Sequence, residues 1–117
     1  MKLKTDKPIK WILVNGEVRI STCLYHRDLL HKNEKYPDVK GGGILEILPE
    51  TKTLRFYGKS DDFGQVKIND FHKAIDNKET REDIYHDASL IGMMIGYGSD
   101  FRADGFNIVF EGTMTMK

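Results

Sequence analysis

A chain of 117 residues, 39% hydrophobic and 31% charged, has room for one domain with a core of its own, and this composition excludes a disordered chain. Eighteen Lys and Arg balance eighteen Asp and Glu, which excludes a general electrostatic pull toward nucleic acid or anionic membrane and leaves only local patches. Cys23 is the sole cysteine, so no intrachain disulfide forms, and the longest apolar stretch, around 90–95 and interrupted by Gly92, is too short to span a bilayer. These features predict a soluble, cytoplasmic protein.

Residues 1–7 read as a frayed, charged leader without the apolar run of a signal peptide. The β-formers of 10–14 predict a strand. Asn15-Gly16 follows; both residues tolerate the positive φ of a type I′ turn, so 17–21 is expected to return as the second strand of a hairpin. Thr22 is a candidate cap for a helix over 23–34, with Leu24, Leu29 and Leu30 on roughly one face. Pro37 places 35–40 in a loop. Gly41-Gly42-Gly43 opens a strand over 44–48, and a turn at 49–52 leads to a partner over 53–57, with Leu54 and Phe56 on one face and Arg55 and Tyr57 on the other. Residues 58–64 form a tight polar loop, and Asn69 or Asp70 is a candidate cap for a short helix ending at Ile75. An amphipathic helix over 81–94 would turn Ile84, Tyr85, Ala88 and Ile91 inward, with Ile95 next in line, and a strand-rich alternative after Ser89 is open. A loop over 96–105 leads to a last strand at 106–110. The order strands, helix, strands, helices, strand predicts an α+β fold, a single small domain with a mixed or antiparallel sheet of about five to six strands and two to three helices packed on it.

Two segments bring together residue types suited to phosphoryl chemistry. The first is Tyr25-His26-Arg27-Asp28-Leu29, after a strand containing Val18-Arg19. The second is Gly41-Gly42-Gly43-Ile44, then a turn, then Phe56-Tyr57 leading into the loop Gly58, Lys59, Ser60, Asp61, Asp62, Phe63 and Gly64. A histidine titrates near neutrality and serves as base or nucleophile. A phosphoryl group needs donors for its oxygens, which Lys, Arg and fixed backbone N–H groups supply, and glycines let the backbone approach closely.

Taken together, residues 9–76 resemble the phosphohistidine phosphatase (Janus/Ocnus) family. Its members carry a Tyr-His-x-Asp-apolar segment after a Val-Arg strand, then a Gly-Gly-Gly strand and a Tyr-Gly-x-Ser-x-x-(Tyr/Phe)-Gly loop. The opening Ile9-Lys10-Trp11-Ile12-Leu13-Val14 is similar to the family's first strand. The resemblance implies a phosphohistidine phosphatase-like fold and a hydrolase that removes phosphoryl from a phosphorylated protein or a small phosphoramidate, with no cofactor and no metal. It implies that His26 is catalytic, either activating water or attacking phosphorus. It assigns phosphate binding to Lys10, Arg19 and the loop from Gly58 to Gly64, with Ser60 donating a hydrogen bond. Three features depart from the pattern. Asp61 and Asp62 stand in the would-be phosphate loop, where each carboxylate repels an anion by about 1 kcal/mol in water at close range. Ile44 stands where the animal type has an arginine, and 76–105 is an insertion relative to the family.

A second reading is a non-catalytic protein-binding or accessory module on the same fold, such as one from a virus or mobile element, which docks a partner through the extra C-terminal region. The acidic pair and the missing arginine favour it. A nucleic-acid surface made of Lys2, Lys4, Lys7 and Lys10 with Trp11 and Tyr57 is disfavoured by the balanced charge. His31, His72 and His86 lack zinc-ligand spacing with one another or with Cys23 and read as surface residues, while Cys23 reads as a plain, half-buried thiol. Met93, Met94, Met114 and Met116 read as core filling, or else as an adaptable surface for a partner.

Overall fold

Asn15 and Gly16 take φ values of 53° and 81°, the pair of left-handed conformations that a type I′ turn requires. They join β1 (Ile9–Val14) to β2 (Glu17–Thr22) as antiparallel neighbours. The computed structural model describes residues 8–22, 25–31, 33 and 37–111; the leader 1–7 and Cys23, Leu24, Met114 and Met116 lie outside them. β3 (Val39–Leu48) runs antiparallel along the other side of β1, and the 3₁₀ turn Pro49–Thr51 sends the chain back as β4 (Thr53–Tyr57). Two helices follow, α1 (Ile68–Ile75) and α2 (Lys78–Gly92), and the chain returns as β5 (Asn107–Glu111), parallel to β4. A parallel neighbour needs a crossover rather than a hairpin, and the two helices lie within it. The result is an α+β domain with a mixed sheet in the order β2-β1-β3-β4-β5.

Strand alternation divides the core. Trp11, Leu13, Leu45, Leu54 and Phe56 turn to the face that Phe71, Ala74, Ile84, Ala88 and Ile91 of the two helices cover. On the other face Ile12 and Val14 meet Leu29, with Leu30, Val39 and Phe63 around them. The helix junction is closed by polar contacts: Asn77 Oδ1 accepts from the Thr80 N–H at 3.1 Å, and Arg81 Nη1 donates to the carbonyls of Ile75 and Asp76, at 2.7 and 3.1 Å. Among the described residues, no helix is long and apolar enough to cross a membrane.

Three local expectations change, and one pair of alternatives is decided in favour of the helix. The helix expected over 23–34 is, within the described residues, a 3₁₀ turn, His26–Leu29, between extended Tyr25 and Leu30, and Thr22 closes β2 instead of capping it. Asp28 imposes the short turn: its carboxylate accepts from the Tyr25 N–H at 3.1 Å while its own N–H donates to the Tyr25 carbonyl at 3.0 Å. Burial of Leu29 against Ile12 and Val14 then pulls the chain onto the sheet. β3 begins at Val39, so the three glycines lie inside the strand rather than at its entry. α1 begins at Ile68, with Lys67 rather than Asn69 or Asp70 at its cap. After Ser89 the chain stays helical to Gly92 and then passes through a π-helical turn, Met93–Tyr97, in which Gly96 has φ 116°.

Candidate functional site

The glycines of β3 create the seat for His26. A Cβ on Gly42 would run into the Trp11 carbonyl and stand 3.0 Å from both His26 Cδ2 and Ile12 Cγ2; one on Gly43 would run into the Tyr57 carbonyl. With hydrogens there instead, β3 lies close between β1 and β4, and the imidazole packs against the strand at Gly42. His26 is 7% exposed, and its Nε2 is 2.8 Å from the Gly43 carbonyl oxygen. A carbonyl only accepts, so Nε2 carries the hydrogen, and in the neutral ring the lone pair belongs to Nδ1. A buried ring with one nitrogen tied to backbone has a fixed orientation and a defined reactive atom.

The 58–64 loop is fastened to the same strand. Ser60 and Gly64 exchange backbone hydrogen bonds of 3.0 and 2.8 Å, and the Gly64 carbonyl also accepts from the Gly42 N–H at 3.0 Å. Ser60 is 3% exposed, and its Oγ accepts from the N–H groups of Asp62 and Phe63 at 3.1 Å each. The serine therefore holds the loop's shape from inside. Two loop donors are consumed this way, while the N–H groups of Lys59 and Asp61 have no partner among the described residues.

Between the His26 turn and this loop lies a cavity of about 380 Å³, lined by Lys10, Tyr25, His26, Arg27, Ile44, Lys59, Asp61 and Asp62. Of the residues that the sequence singled out, Lys10, His26, Lys59, Asp61 and Asp62 meet there. Gly58, Ser60, Phe63 and Gly64 shape the loop without lining the cavity. Arg19 does not line it either: Nε and Nη2 bind the Glu17 carboxylate at 3.0 and 2.8 Å, and Nη1 donates to the Leu29 carbonyl at 3.1 Å. It braces the turn that carries His26.

Tyr25 and Arg27 were missed as site residues, although their places on either side of His26 in a short turn are a signal that both could reach the same cavity. The Arg27 guanidinium lies 4.3 Å from the Tyr25 ring centroid and 3.5 Å from Asp62 Oδ1. Three cations, Lys10, Arg27 and Lys59, thus face two carboxylates in the lining, and one of those carboxylates is partnered. Lys10 and Lys59 enter no ion pair among the described residues. The cavity therefore has a net cationic lining around a fixed imidazole, a combination suited to an anionic ligand with an electrophilic centre. No protein-family model matches the chain, and no curated protein matches it.

Proposed function

We propose that the protein is a phosphohydrolase of the phosphohistidine phosphatase type, which removes the phosphoryl group from phosphohistidine or a related phosphoramidate with His26 as nucleophile or base. The observation that carries this reading is the hydrogen bond from His26 Nε2 to the Gly43 carbonyl, which leaves Nδ1 as the reactive nitrogen beside Lys10, Arg27 and Lys59. Two routes use the same atom. In one, Nδ1 attacks phosphorus, the substrate P–N bond breaks as a new N–P bond forms, and water then hydrolyses the phosphorylated His26. In the other, Nδ1 takes a proton from water as the water oxygen attacks phosphorus. In both, the departing nitrogen gains a proton.

Catalysis of this kind is mostly positioning and charge stabilisation. Lys10 and Lys59 neutralise phosphoryl oxygens, and the free N–H groups of Lys59 and Asp61 are further donors at the cavity wall. Arg27 joins them when the anion displaces Asp62, whose 3.5 Å contact is long for a charge-assisted hydrogen bond. Asp61, exposed and in no ion pair among the described residues, favours the second reading, a protein-binding module that kept the fold without the chemistry.

Hydrolysis of phosphohistidine and phospholysine by the wild type and His26→Ala, side by side, separates the two. Turnover by the wild type that disappears in the variant is the expected result. A folded wild type without turnover, whose thermal stability phosphate leaves unchanged, would move the assignment to the binding module.

A further inference from the structure

The His26 cavity is lined by charges of both signs, Lys10, Arg27 and Lys59 with Asp61 and Asp62. Arg27 takes Asp62, at 3.5 Å. Lys10, Lys59 and Asp61 enter no ion pair among the described residues. Ser60 stands between Lys59 and Asp61 and is 3% exposed, its Oγ accepting from the N–H groups of Asp62 and Phe63. That turn fixes the backbone from which Lys59 and Asp61 reach the cavity wall. The His26 ring, 7% exposed, belongs to the same lining, and its Nδ1 has no hydrogen-bond partner among the described residues. A purely anionic ligand satisfies the two lysines and is repelled by Asp61. A ligand with a phosphoryl group and a positive nitrogen beside it satisfies all three.

We propose that Asp61 sets the substrate specificity by binding the positive nitrogen of a cationic phosphoramidate, a phosphorylated guanidine or amine, which the protein prefers to phosphohistidine. The inference rests on the phosphohydrolase reading, and it gives the carboxylate that counts against that reading a task within it. The chemistry separates the substrates. A phosphorylated guanidine stays protonated at neutral pH, and a phosphorylated amine is protonated at the P–N bond itself. The imidazole of phosphohistidine is neutral once the pH stands well above about 6.5. Cleavage balances in each case. The P–N electron pair stays with nitrogen as phosphorus passes to His26 Nδ1 or to water; the guanidine or amine departs neutral and then takes a proton from solvent. The positive charge exists before the transition state, so Asp61 acts on binding more than on the chemical step, and its effect belongs in KM. Asp61 is one of the departures from the family pattern, which makes this preference particular to this protein.

The test measures kcat and KM at about pH 8, above the imidazole range, on free phosphoarginine, phospholysine and phosphohistidine. It uses wild type, Asp61→Asn and Asp61→Glu; Asp61 is exposed, so neither substitution disturbs the core. Comparing each variant with wild type cancels the different intrinsic reactivities of the substrates. Asp61→Asn is expected to lower kcat/KM on the cationic substrates relative to phosphohistidine by about fivefold, the factor that one solvent-exposed charge pair at about 4 Å supplies. The change should come from KM, and turnover of phosphohistidine should rise as a repelling charge is removed. The substrate with the larger fall, guanidine or amine, carries the preferred nitrogen. Asp61→Glu, which keeps the charge, should stay close to the wild-type ratio. A ratio that Asp61→Asn leaves unchanged, a fall in kcat alone, or equal changes on all three substrates, as a merely structural role would give, would overturn the proposal. So would Asp61→Glu behaving as Asp61→Asn does. If folded wild type turns over none of the three, the phosphohydrolase reading fails by itself. Recognition is then read from thermal stability. Phosphoarginine that raises it more than an equal concentration of inorganic phosphate, by a margin that Asp61→Asn removes, supports the role of Asp61; equal shifts or none sink it.

Discussion

On the helix-covered face of the sheet, Trp11, Phe56, Phe71 and Phe110 meet edge-on, tilted or stacked at centroid separations of 4.6 to 6.1 Å. Among the described residues, the apolar cluster of the opposite face is Ile12, Val14 and Leu29, and the candidate site there is held by backbone: Gly43 to His26, Gly64 to Gly42, Ser60 to its own loop, Leu29 to Arg19. One face is stabilised by side-chain volume, the other by close approach and hydrogen bonds. A domain of this size can thus keep cations and an imidazole at a cavity wall because the apolar burial that stabilises it lies on the far side of the sheet.

The largest effect that would separate the two faces is Phe71→Ala. Phe71 is fully buried between Phe56, Trp11 and Phe110, and its truncation should cost about 3–5 kcal/mol in urea unfolding, while phosphohistidine turnover per folded molecule stays close to wild type. A turnover loss larger than the unfolded fraction would mean that the faces are coupled.

Gly42→Ala tests the other side. It should cost about 1–3 kcal/mol through overpacking against Trp11 and Ile12. Displacement of the His26 ring should lower turnover by about a hundredfold. Retained turnover would show that the glycine does not set the imidazole's place. Ser60→Ala is smaller: loss of the hydroxyl that accepts from Asp62 and Phe63 should cost about 1 kcal/mol, with faster hydrogen exchange confined to those two amides and their loop.

The smallest effects are electrostatic and opposite in sign. Burial raises the Asp87 carboxyl on α2 above its ordinary range, with His86 opposing and Asp83 adding to the shift. Ionised Asp87 therefore costs the folded state; the cost is absent below the unfolded pKa and complete above the folded one, so stability declines as pH rises between them. Asp87→Asn should stabilise the protein at neutral pH by less than about 1 kcal/mol and do nothing in strong acid. On the open face, a hydrogen bond from Arg55 holds Glu111 below its ordinary range. That contribution is present above the unfolded pKa and fades as pH falls through the folded one, so Glu111→Gln should flatten the acid limb of stability measured by urea titration.

Much of the frame was legible because local chemistry decided it. Asn15-Gly16 fixed the first hairpin, and the alternation of Leu54 and Phe56 with Arg55 and Tyr57 fixed β4 and its faces. In the segment after β2 the leucine spacing mimics a helical stripe, whereas Asp28 closes a single turn and Leu29 is drawn to the sheet. The parallel pairing of β5 was invisible because it depends on the helices that intervene. At the site, His26, Lys10 and the 58–64 loop could be singled out from residue types and order. Arg19 could not be separated from them, since only its actual partners, Glu17 and Leu29, show it to be a brace. The task of the glycines was equally hidden, because it is defined by atoms of Trp11, His26 and Tyr57 that approach from other elements.

The pairing of Thr53 with Asn107 closes the longest loop in the sheet, while every residue that lines the His26 cavity precedes Phe63. Loop closure costs entropy before its contacts form, so the β4–β5 pairing carries the largest closure cost of the sheet. During synthesis the half of the chain that lines the His26 cavity leaves the ribosome first, with Trp11 and Phe56 uncovered until Phe71 and Phe110 arrive. The nascent protein therefore passes through an interval in which every residue of the His26 cavity has been made but the hydrophobic face is open. In that interval aggregation, rather than unfolding, is the hazard to the molecule.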